Sequence, residues 1–255
     1  MRVALIGARG LVGSALVPRL TGDYDLLLLD RRRDRSNSVR GLDARRVRTL
    51  TRALRGCDAV VDLAADAAWS APWTAVYRNN IRLTVAVLES ARLAGVPTVV
   101  HASSNQVAAG YERDEPWSSV VAGRLEDLEP CRLPQLSVGA PPRPVNAYGA
   151  AKAFSEAACA WYAEEYGLTT TCLRIGSLLN PDRPRNARHM ATWLSHRDLH
   201  GFVDGALRRP QQAGASVAWA VSLNTWRIWD VSDTERLCGY APADDAETWR
   251  GTATR

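Results

Sequence analysis

The chain has 255 residues, of which 46% are apolar and 23% are charged. This composition allows one large buried core and excludes disordered, collagen-like and coiled-coil proteins. The net charge of +5 comes from 32 basic and 27 acidic residues that are interleaved along the chain. Because no zinc-finger, helix-turn-helix or RNA-module pattern accompanies these charges, we expect no nucleic-acid partner.

Cysteine spacing and hydropathy exclude two further classes of protein. The five cysteines are widely spaced and include no Cys-x-x-Cys pair, so neither a disulfide framework nor a zinc site is expected. No apolar run approaches the roughly 18 residues of a membrane span, and the Gly-rich segment that starts at Gly7 comes too early for a signal peptide. We therefore expect a cytoplasmic protein with neither a bound metal nor a membrane partner.

Hydrophobic periodicity predicts strands that alternate with helices. Strands are predicted at 2–6, 25–29, 59–63, 98–101, 169–175 and 217–220. Helices are predicted at 11–20, 47–54, 80–94 and 148–166, with a helical tail at 226–239. Strands connected through helices form parallel sheets that are covered on both faces. The sequence therefore predicts an α/β fold with a Rossmann-type, doubly wound parallel sheet and a small C-terminal substrate-binding portion.

Residues 106–146 differ from the rest of the chain because they hold six prolines and show little periodicity. A connection of this length inside a compact domain is either a functional lid or loosely ordered. We expect a long active-site loop here.

No Ser/Gly-rich or single-sign linker divides the chain. We therefore expect one domain over 1–255, in which 1–175 mainly bind a dinucleotide and 176–255 mainly bind the substrate.

The segment after the first predicted strand has the pattern of a dinucleotide site. Gly7, Gly10 and Gly13 allow the backbone to turn tightly and to approach a pyrophosphate at the N-terminus of the next helix. Asp30 follows Gly10 by 20 positions, where a carboxylate can accept both hydroxyls of the adenosine ribose. This carboxylate favours NAD, whereas the arginines that follow it, beginning with Arg31, leave NADP possible.

A catalytic pair is indicated by Tyr148 and Lys152, which form a Tyr-x-x-x-Lys pattern at the start of a predicted helix; Lys152 is the only lysine in the chain. The four-residue spacing puts both side chains on one helix face, where the cation makes the phenol a usable proton donor or acceptor. Ser103 and Ser104 follow the fourth predicted strand, at the sheet edge where ligands bind. A hydroxyl there can hold a substrate oxygen beside Tyr148.

Taken in order, the Gly-rich loop, Asp30, the segment 58–65, Asn80, the serine pair and the Tyr/Lys pair resemble an extended short-chain dehydrogenase/reductase of the NAD-dependent epimerase/dehydratase family. The resemblance covers nearly the whole chain. It implies hydride transfer with Ser104, Tyr148 and Lys152 as catalytic residues, and Asn80 as a residue that stiffens the centre of the site. The expected cofactor contacts are Gly7, Gly10, Leu11, Val12, Gly13, Asp30, Arg31, Asp43, Ala44, Leu63, Ala64, Ala65, Asn80, Ser103, Tyr148, Lys152 and Ile175.

A narrower likeness is to uronate dehydrogenases, which oxidise the anomeric carbon of a hexuronic acid with NAD. The likeness rests on three segments and on two sites in the tail: Ser103 to Asn105, Arg174 to Ser177, Arg188 to His196, Trp229 with Asp230, and Gly239 with Tyr240. It implies that Arg188 binds the substrate carboxylate. The expected substrate contacts are Ser104, Asn105, Gln106, Tyr148, Ser177 and Arg188. Gln106 replaces a histidine of those enzymes, residues 66–68 lack an expected serine, and the loop before Tyr148 is longer, which favours a different small polar substrate.

Three other functions stay open at this point. A ketoreductase of a secondary metabolite, such as a nucleoside-like compound, would suit the altered pocket residues and the longer loop. A nucleotide-sugar epimerase or dehydratase shares the same catalytic residues but usually needs a larger C-terminal region than the one after Ser177. A non-catalytic redox sensor would have no need of the pair formed by Tyr148 and Lys152.

The remaining predictions concern oligomeric state and single side chains. The resemblance implies a homodimer or a higher homo-oligomer, with the helix at 148–166 as its interface. His101 lies inside a predicted strand and is interpreted as a packing residue. Trp69, Trp73 and Trp117 lie in predicted active-site loops, where they could stack on a planar substrate.

Overall fold

A computed structural model describes residues 1–68, 70–209 and 213–251. Its strands are β1 (Arg2–Ile6), β2 (Asp25–Asp30), β3 (Arg40–Gly41), β4 (Ala59–Asp62), β5 (Thr98–Ser104), β6 (Thr169–Ile175) and β7 (Gly214–Ala220). In this part of the chain they pair in parallel in the order β3-β2-β1-β4-β5-β6-β7. The order reverses between β1 and β4, so the predicted Rossmann-type sheet is confirmed.

The helices are α1 (Leu11–Leu20), α2 (Val47–Leu54), α3 (Trp73–Val76), α4 (Arg82–Ala94), α5 (Trp117–Ala122), α6 (Ala147–Tyr166), α7 (Ala187–Thr192), α8 (His196–Arg208) and α9 (Ser232–Cys238). A π-helical turn, Tyr77–Ile81, joins α3 to α4. Short 3-10 helices occupy Asn105–Val107, Ala109–Arg113, Pro130–Arg132 and Ala246–Trp249. No described helix is long and apolar enough to cross a membrane.

Most predicted bounds agree with these elements to within two residues, but the strand predicted at 217–220 begins earlier, at Gly214. Two further differences have a physical reason. The helix predicted at 226–239 is wrong in its first half, because the backbone on either side of Trp229 pairs with Leu136 instead of continuing a helix. The Ile228 carbonyl accepts from the Leu136 N–H, and the Asp230 N–H donates to the Leu136 carbonyl. The strand predicted at 98–101 extends to Ser104, because β5 is paired along its whole length with β6. The described chain also has β3, α3, α5, α7 and α8, which the sequence analysis does not predict. Of these, α8 has a detectable pattern, because Leu199, Phe202, Val203, Ala206 and Leu207 recur at helical spacing.

Apolar side chains cover both faces of the sheet. Ala4 and Leu5 are neighbours in β1 and belong to the two different apolar clusters, as the alternation of side chains along a strand requires. On one face, β1, β4, β5, β6 and β7 pack against α1 and α8. On the other face, the strands pack against α2, α4 and α6. Strand β5, which lies inside the sheet between β4 and β6, is buried along its full length.

Residues 106–146 form a packed layer rather than a loosely ordered loop. Their apolar side chains pack against Trp219 and Trp229, whose rings stack with centroids 5.0 Å apart. The buried members from this segment are Ala108, Val120, Leu133 and Leu136. The cluster therefore combines chain from both sides of residue 175, and the division of the domain at that residue stays a prediction.

Candidate active site

The glycine loop lies at the switch point of the sheet, between the end of β1 and the start of α1. Gly7 has φ +88°, a conformation that side chains disfavour. A Cβ on Gly13 would lie 2.5 Å from the carbonyl oxygen of Gly7, so α1 can approach the loop only without a side chain there. Gly10 forms the N-cap of α1. The backbone thus forms an open cradle at a helix N-terminus, which fits a pyrophosphate group.

Two adjoining cavities run along the carboxyl edge of the sheet, with volumes of about 400 and about 230 Å³. They form one cleft, because both are lined by Gly7, Gly10, Leu63, Ala65 and Ala67. The first is also lined by predicted cofactor contacts: Asp30, Arg31, Asp43, Ala44 and Ala64. The second cavity is lined by further predicted cofactor contacts, namely Leu11, Val12, Gly13, Ser103, Tyr148, Lys152 and Ile175, and also by the predicted catalytic residue Ser104. Apart from Asn80, the predicted cofactor contacts therefore come together in one cleft.

Asp30 presents a fixed carboxylate to the first cavity. Its Oδ2 accepts the backbone N–H of Arg9 at 3.1 Å and its Oδ1 accepts that of Arg32 at 3.1 Å. Each oxygen keeps a further acceptor site, so the carboxylate fits the vicinal hydroxyls of a ribose. Arg31 lines the same cavity, where its guanidinium fits a phosphate.

A polar network fixes the wall of the first cavity. Asp43 accepts two bonds from the Arg45 guanidinium, at 2.9 and 3.0 Å, and these bonds hold the pKa of the Asp43 carboxyl below its usual value. Arg45 also donates to Asn79, and Asn79 donates to Asp66. Of these residues, the sequence analysis predicts only Asp43 as part of the site.

Asn80 acts on the loop after β4 rather than on the cleft wall. Its Oδ1 accepts the N–H of Asp66 at 2.9 Å, and its Nδ2 donates to the Asp66 carbonyl at 3.0 Å. The Asn80 side chain is buried, and it is absent from the residues that line either cavity. This geometry agrees with the predicted stiffening role, while direct contact with a cofactor stays a prediction.

Ser104, Tyr148 and Lys152 meet in the second cavity. Ser104 ends β5, and its Oγ accepts the N–H of Gln106 at 3.2 Å. Tyr148 and Lys152 lie one turn apart near the start of α6, which begins because the Asn146 side chain accepts the N–H of Gly149. The Lys152 ammonium is 5.9 Å from the centroid of the Tyr148 ring. The arrangement can therefore move a proton at a substrate oxygen held between Ser104 and Tyr148.

Lys152 is 2% exposed and is held from behind the cleft. Its Nζ donates to the carbonyl of Ala102 at 2.5 Å and lies 3.5 Å from His101 Nε2. His101 Nδ1 in turn lies 2.9 Å from Asp62 Oδ2. Burial lowers the pKa of His101, and the charge of Lys152 lowers it further. The interpretation of His101 as a packing residue therefore misses its polar contacts.

The Ser103 hydroxyl is used inside the protein. It donates to Glu156 Oε1 at 2.5 Å, and Glu156 also accepts two bonds from Arg174, at 2.9 and 2.8 Å. Arg174 further donates to the carbonyl of Val138 and lies over the Trp219 ring. This buried group ties β5 and β6 to the packed layer of residues 106–146. A contact between Ser103 and a cofactor stays a prediction.

Arg188 is already paired within the protein. Its Nε donates to Glu112 Oε2 at 2.6 Å and its second terminal nitrogen donates to Glu112 Oε1 at 2.7 Å. The remaining terminal nitrogen donates to Ser177 Oγ at 3.4 Å. Ser177 follows Ile175 and Gly176, which line the second cavity. The structure thus places Arg188 next to the predicted substrate end, with a protein carboxylate where a substrate carboxylate was predicted.

Asn105 and Gln106 brace the turn after β5. The Gln106 amide donates to Asn105 Oδ1 at 3.4 Å and accepts from Asn146 at 2.9 Å. Neither residue is among those that line the second cavity, so substrate contacts at both stay predictions.

Of the three tryptophans predicted near the site, Trp117 donates to the Pro134 carbonyl within the packed layer, Trp73 is exposed, and Trp69 lies outside the described residues. The described residues contain no group of three or more His, Cys, Asp and Glu side chains that could hold a metal ion.

Comparison with known proteins gives a consistent result. The NAD dependent epimerase/dehydratase family matches residues 3–201. The chain is 35% identical to L-arabinose 1-dehydrogenase (NAD(P)(+)) of Haloferax volcanii, over 97% of this chain and 98% of that protein. It is 30% identical to uronate dehydrogenase of Pseudomonas putida, over 98% of this chain and 86% of that protein. A variant of the Agrobacterium tumefaciens uronate dehydrogenase complexed with NAD matches with a TM-score of 0.82 at 28% identity, over 98% of this chain and 87% of that one.

Proposed function

The chain belongs to the NAD-dependent epimerase/dehydratase family and is an NAD(P)-dependent dehydrogenase, and we propose that it oxidises the anomeric carbon of a neutral aldose. The dehydrogenase class and the nicotinamide cofactor predicted from the sequence are thereby confirmed. The observation that carries the choice of a neutral sugar is the ion pair between Arg188 and Glu112.

The proposed reaction breaks the C1–H and O–H bonds of the cyclic sugar and forms a C1=O bond, which gives a lactone. NAD(P) held along the cleft would supply the acceptor for the hydride that leaves C1. Tyr148 accepts the hydroxyl proton and releases it to solvent, and Ser104 hydrogen-bonds the same oxygen so that it stays within reach of the phenol. The ammonium of Lys152, next to the Tyr148 ring, stabilises the negative charge on the phenol oxygen.

The second cavity, where Ser104 and Tyr148 meet, offers little positive charge to an anionic substrate. Among the described residues that line the second cavity, Lys152 is the only cation, and it is bonded to Ala102 at the reacting end. The guanidinium of Arg188 is the nearest candidate for a substrate carboxylate beyond Ser177, but each of its three nitrogens already has a partner. A neutral aldose needs no such partner.

Displacing Glu112 from Arg188 would be costly. The Glu112 side chain is 11% exposed and that of Arg188 is 29% exposed, so the pair is largely shielded from water. A substrate carboxylate that took the guanidinium would leave Glu112 unpaired in this environment, which costs several kcal/mol. If breaking the pair costs about 3 kcal/mol, kcat/KM for a uronate should be about 100-fold below that for the neutral sugar.

A sugar acid is the second candidate substrate. It is favoured by the uronate dehydrogenases among the relatives and by the position of Arg188 beside Ser177. In that case Glu112 would have to swing away when substrate binds. The ketoreductase and epimerase alternatives have no comparable support in the contacts around the cleft.

We further propose a homodimer formed through α4 and α6. Val85 and Leu93 on α4 and Phe154, Trp161 and Tyr166 on α6 are large apolar side chains that are exposed in the single chain. Phe154 and Trp161 are seven residues apart and so share a helix face. Light scattering should give a dimer that Trp161→Glu converts to a monomer. A monomeric unmodified protein would refute the proposed dimer.

A cytoplasmic location stays a prediction.

The substrate assignment is tested with a matched pair of sugars. D-galactose and D-galacturonate share their ring stereochemistry and differ only in having a hydroxymethyl group or a carboxylate at C6. NADH formation should be faster with D-galactose and L-arabinose than with D-galacturonate, and Tyr148→Phe should abolish it. Preference for the uronate would overturn the neutral-aldose proposal. Sugar conversion without net NADH would indicate an epimerase instead.

A further inference from the structure

We propose that Asp62 and His101 form a buried positioning pair that holds the Lys152 ammonium beside the ring of Tyr148. His101 Nδ1 lies 2.9 Å from Asp62 Oδ2, and His101 Nε2 lies 3.5 Å from Lys152 Nζ. The side chains of His101 and Asp62 are each 1% exposed. The inference rests on the proposed function only in taking Tyr148 and Lys152 as the pair that handles the proton.

The contacts of Asp62 determine which nitrogen of His101 carries the proton. An ionised carboxylate can only accept hydrogen bonds, so Asp62 Oδ2 takes the proton-bearing Nδ1 of the ring. The other oxygen of Asp62 accepts the backbone N–H of Ala64 at 3.2 Å. His101 Nε2 is then a bare acceptor that faces the ammonium of Lys152. Asp62 does not contact Lys152. It fixes and polarises the His101 ring, so that the Nε2 lone pair faces the ammonium of Lys152.

A neutral ring is required for this role, because a second positive charge 3.5 Å from Lys152 would repel it. Burial and the charge of Lys152 both lower the pKa of His101, so the ring stays neutral near pH 7. The charged groups that act on the ring are Asp62 from β4 and Lys152 and Glu156 from α6. The thiol of Cys172 lies opposite in β6.

Asp62 is available as the counter-charge of Lys152, whereas Glu156 is not. Both oxygens of Glu156 are bonded to Arg174, which neutralises that carboxylate locally. Lys152 itself has the Ala102 carbonyl and His101 Nε2 as partners on the buried side. A buried ammonium without a compensating charge is unfavourable. Removing the Asp62–His101 pair should therefore displace the Lys152 ammonium from its position beside Tyr148. This displacement should lower kcat more than it changes the binding of the sugar.

Asp62→Asn tests the pair with little change of shape. The Ala64 N–H needs an acceptor, so the carbonyl oxygen of the introduced amide should take that position and its NH2 should face His101 Nδ1. The ring proton then moves to Nε2 and points at Lys152. Nitrogen-15 NMR of the imidazole reads the proton position in the protein alone, and the His101→Gln spectrum identifies the His101 signals. We expect Nδ1–H in the unmodified protein and Nε2–H in the variant.

Kinetics provide the second measurement. Asp62→Asn and His101→Phe should each lower kcat by about 10- to 100-fold, while KM for the sugar changes by less than about threefold. The midpoint of the pH–rate profile should move to higher pH. His101→Gln keeps an oxygen that can accept from Lys152 and should recover part of kcat.

Asp198→Asn is the matched control, because Asp198 is a fully buried carboxylate that accepts from Ser222 and Tyr240 away from the cleft. It should lower stability and leave the pH–rate profile unchanged.

Several results would overturn the inference. One is a folded Asp62→Asn variant with unchanged kcat and pH–rate profile. Another is an unmodified protein whose His101 carries its proton on Nε2. A third is a pH–rate profile of Asp198→Asn that shifts as that of Asp62→Asn does. If Asp62→Asn does not fold, the NMR of the unmodified protein and the kinetics of His101→Gln against His101→Phe still decide. Unchanged turnover in Tyr148→Phe would refute the proposed function instead, and the His101 proton position would still stand as measured.

Discussion

Glu112 and Arg188 are 76 positions apart in the sequence and form a two-bond ion pair, with N–O distances of 2.6 and 2.7 Å. Glu112 lies in the short helix Ala109–Arg113 of the packed layer, and Arg188 lies in α7. A guanidinium binds a protein carboxylate and a substrate carboxylate with the same paired geometry. The pair therefore links the position of the packed layer to the choice between a neutral and an acidic sugar.

Glu112→Gln should raise kcat/KM for D-galacturonate by about tenfold, because freeing Arg188 offers roughly 1.4 kcal/mol to a substrate carboxylate. The value for D-galactose should change by less than about threefold. Asp114→Asn is the control, since Asp114 lies in the same layer and pairs with Arg143 instead. Equal or lower uronate activity in Glu112→Gln would show that Arg188 does not reach the substrate.

Asp30→Ala should shift cofactor preference from NAD toward NADP. The variant loses an acceptor for the ribose hydroxyls, so kcat/KM for NAD should fall about tenfold. The value for NADP should rise, because the carboxylate no longer repels a 2′-phosphate and Arg31 remains beside the cavity. Asp233→Asn is a suitable control, since the Asp233 carboxylate pairs with Arg236 within α9 and lines neither cavity of the cleft. An unchanged ratio of the two kcat/KM values in Asp30→Ala would contradict the assignment.

The parts of the site that the sequence predicts are those encoded by local spacing. The glycines of the loop lie within seven residues, and Tyr148 and Lys152 lie within one helical turn, so a periodic pattern reveals both. The fold class, a doubly wound parallel sheet, could be predicted because buried strands alternate with helices along the chain.

The pairs that distinguish this chain are distant in sequence, which is why spacing does not reveal them. His101 and Asp62 are 39 positions apart and meet only because β4 pairs with β5 in the register that sets them side by side. The one available signal was a histidine inside a strand of otherwise small and apolar residues. Likewise, the backbone around Trp229 is extended because of Leu136, a partner from the packed layer that local periodicity cannot include.

Arg174→Met should lower the free energy of unfolding by about 3–5 kcal/mol, because it leaves the carboxylate of Glu156 buried without a cationic partner. The side chains of Arg174 and Glu156 are both almost fully buried. Adding Glu156→Gln should recover part of the loss, since the neutral amide still accepts from Ser103. Urea unfolding measures both values. Arg132→Met, which breaks an exposed pair with Glu129, should cost less than about 1 kcal/mol. Similar costs for Arg174→Met and Arg132→Met would contradict the role of burial.

Acid should destabilise the protein partly through His101. Its pKa is lowered from the ordinary 6.5 by burial and by Lys152, so below that pH the unfolded chain binds a proton that the folded chain does not. The free energy of unfolding therefore falls as pH drops from about 6.5 toward the folded pKa, with a slope of at most about 1.4 kcal/mol per pH unit from this group.

Urea unfolding at about pH 7.5 and about pH 5.5 should show a smaller acid loss in His101→Gln than in the unmodified protein. His189 contributes in the same direction, because burial and Arg188 lower its pKa, but it is present in both proteins and cancels in the comparison. An equal acid loss in the two proteins would mean that His101 already takes up a proton in the folded state, and Lys152 would then face a cation rather than an acceptor.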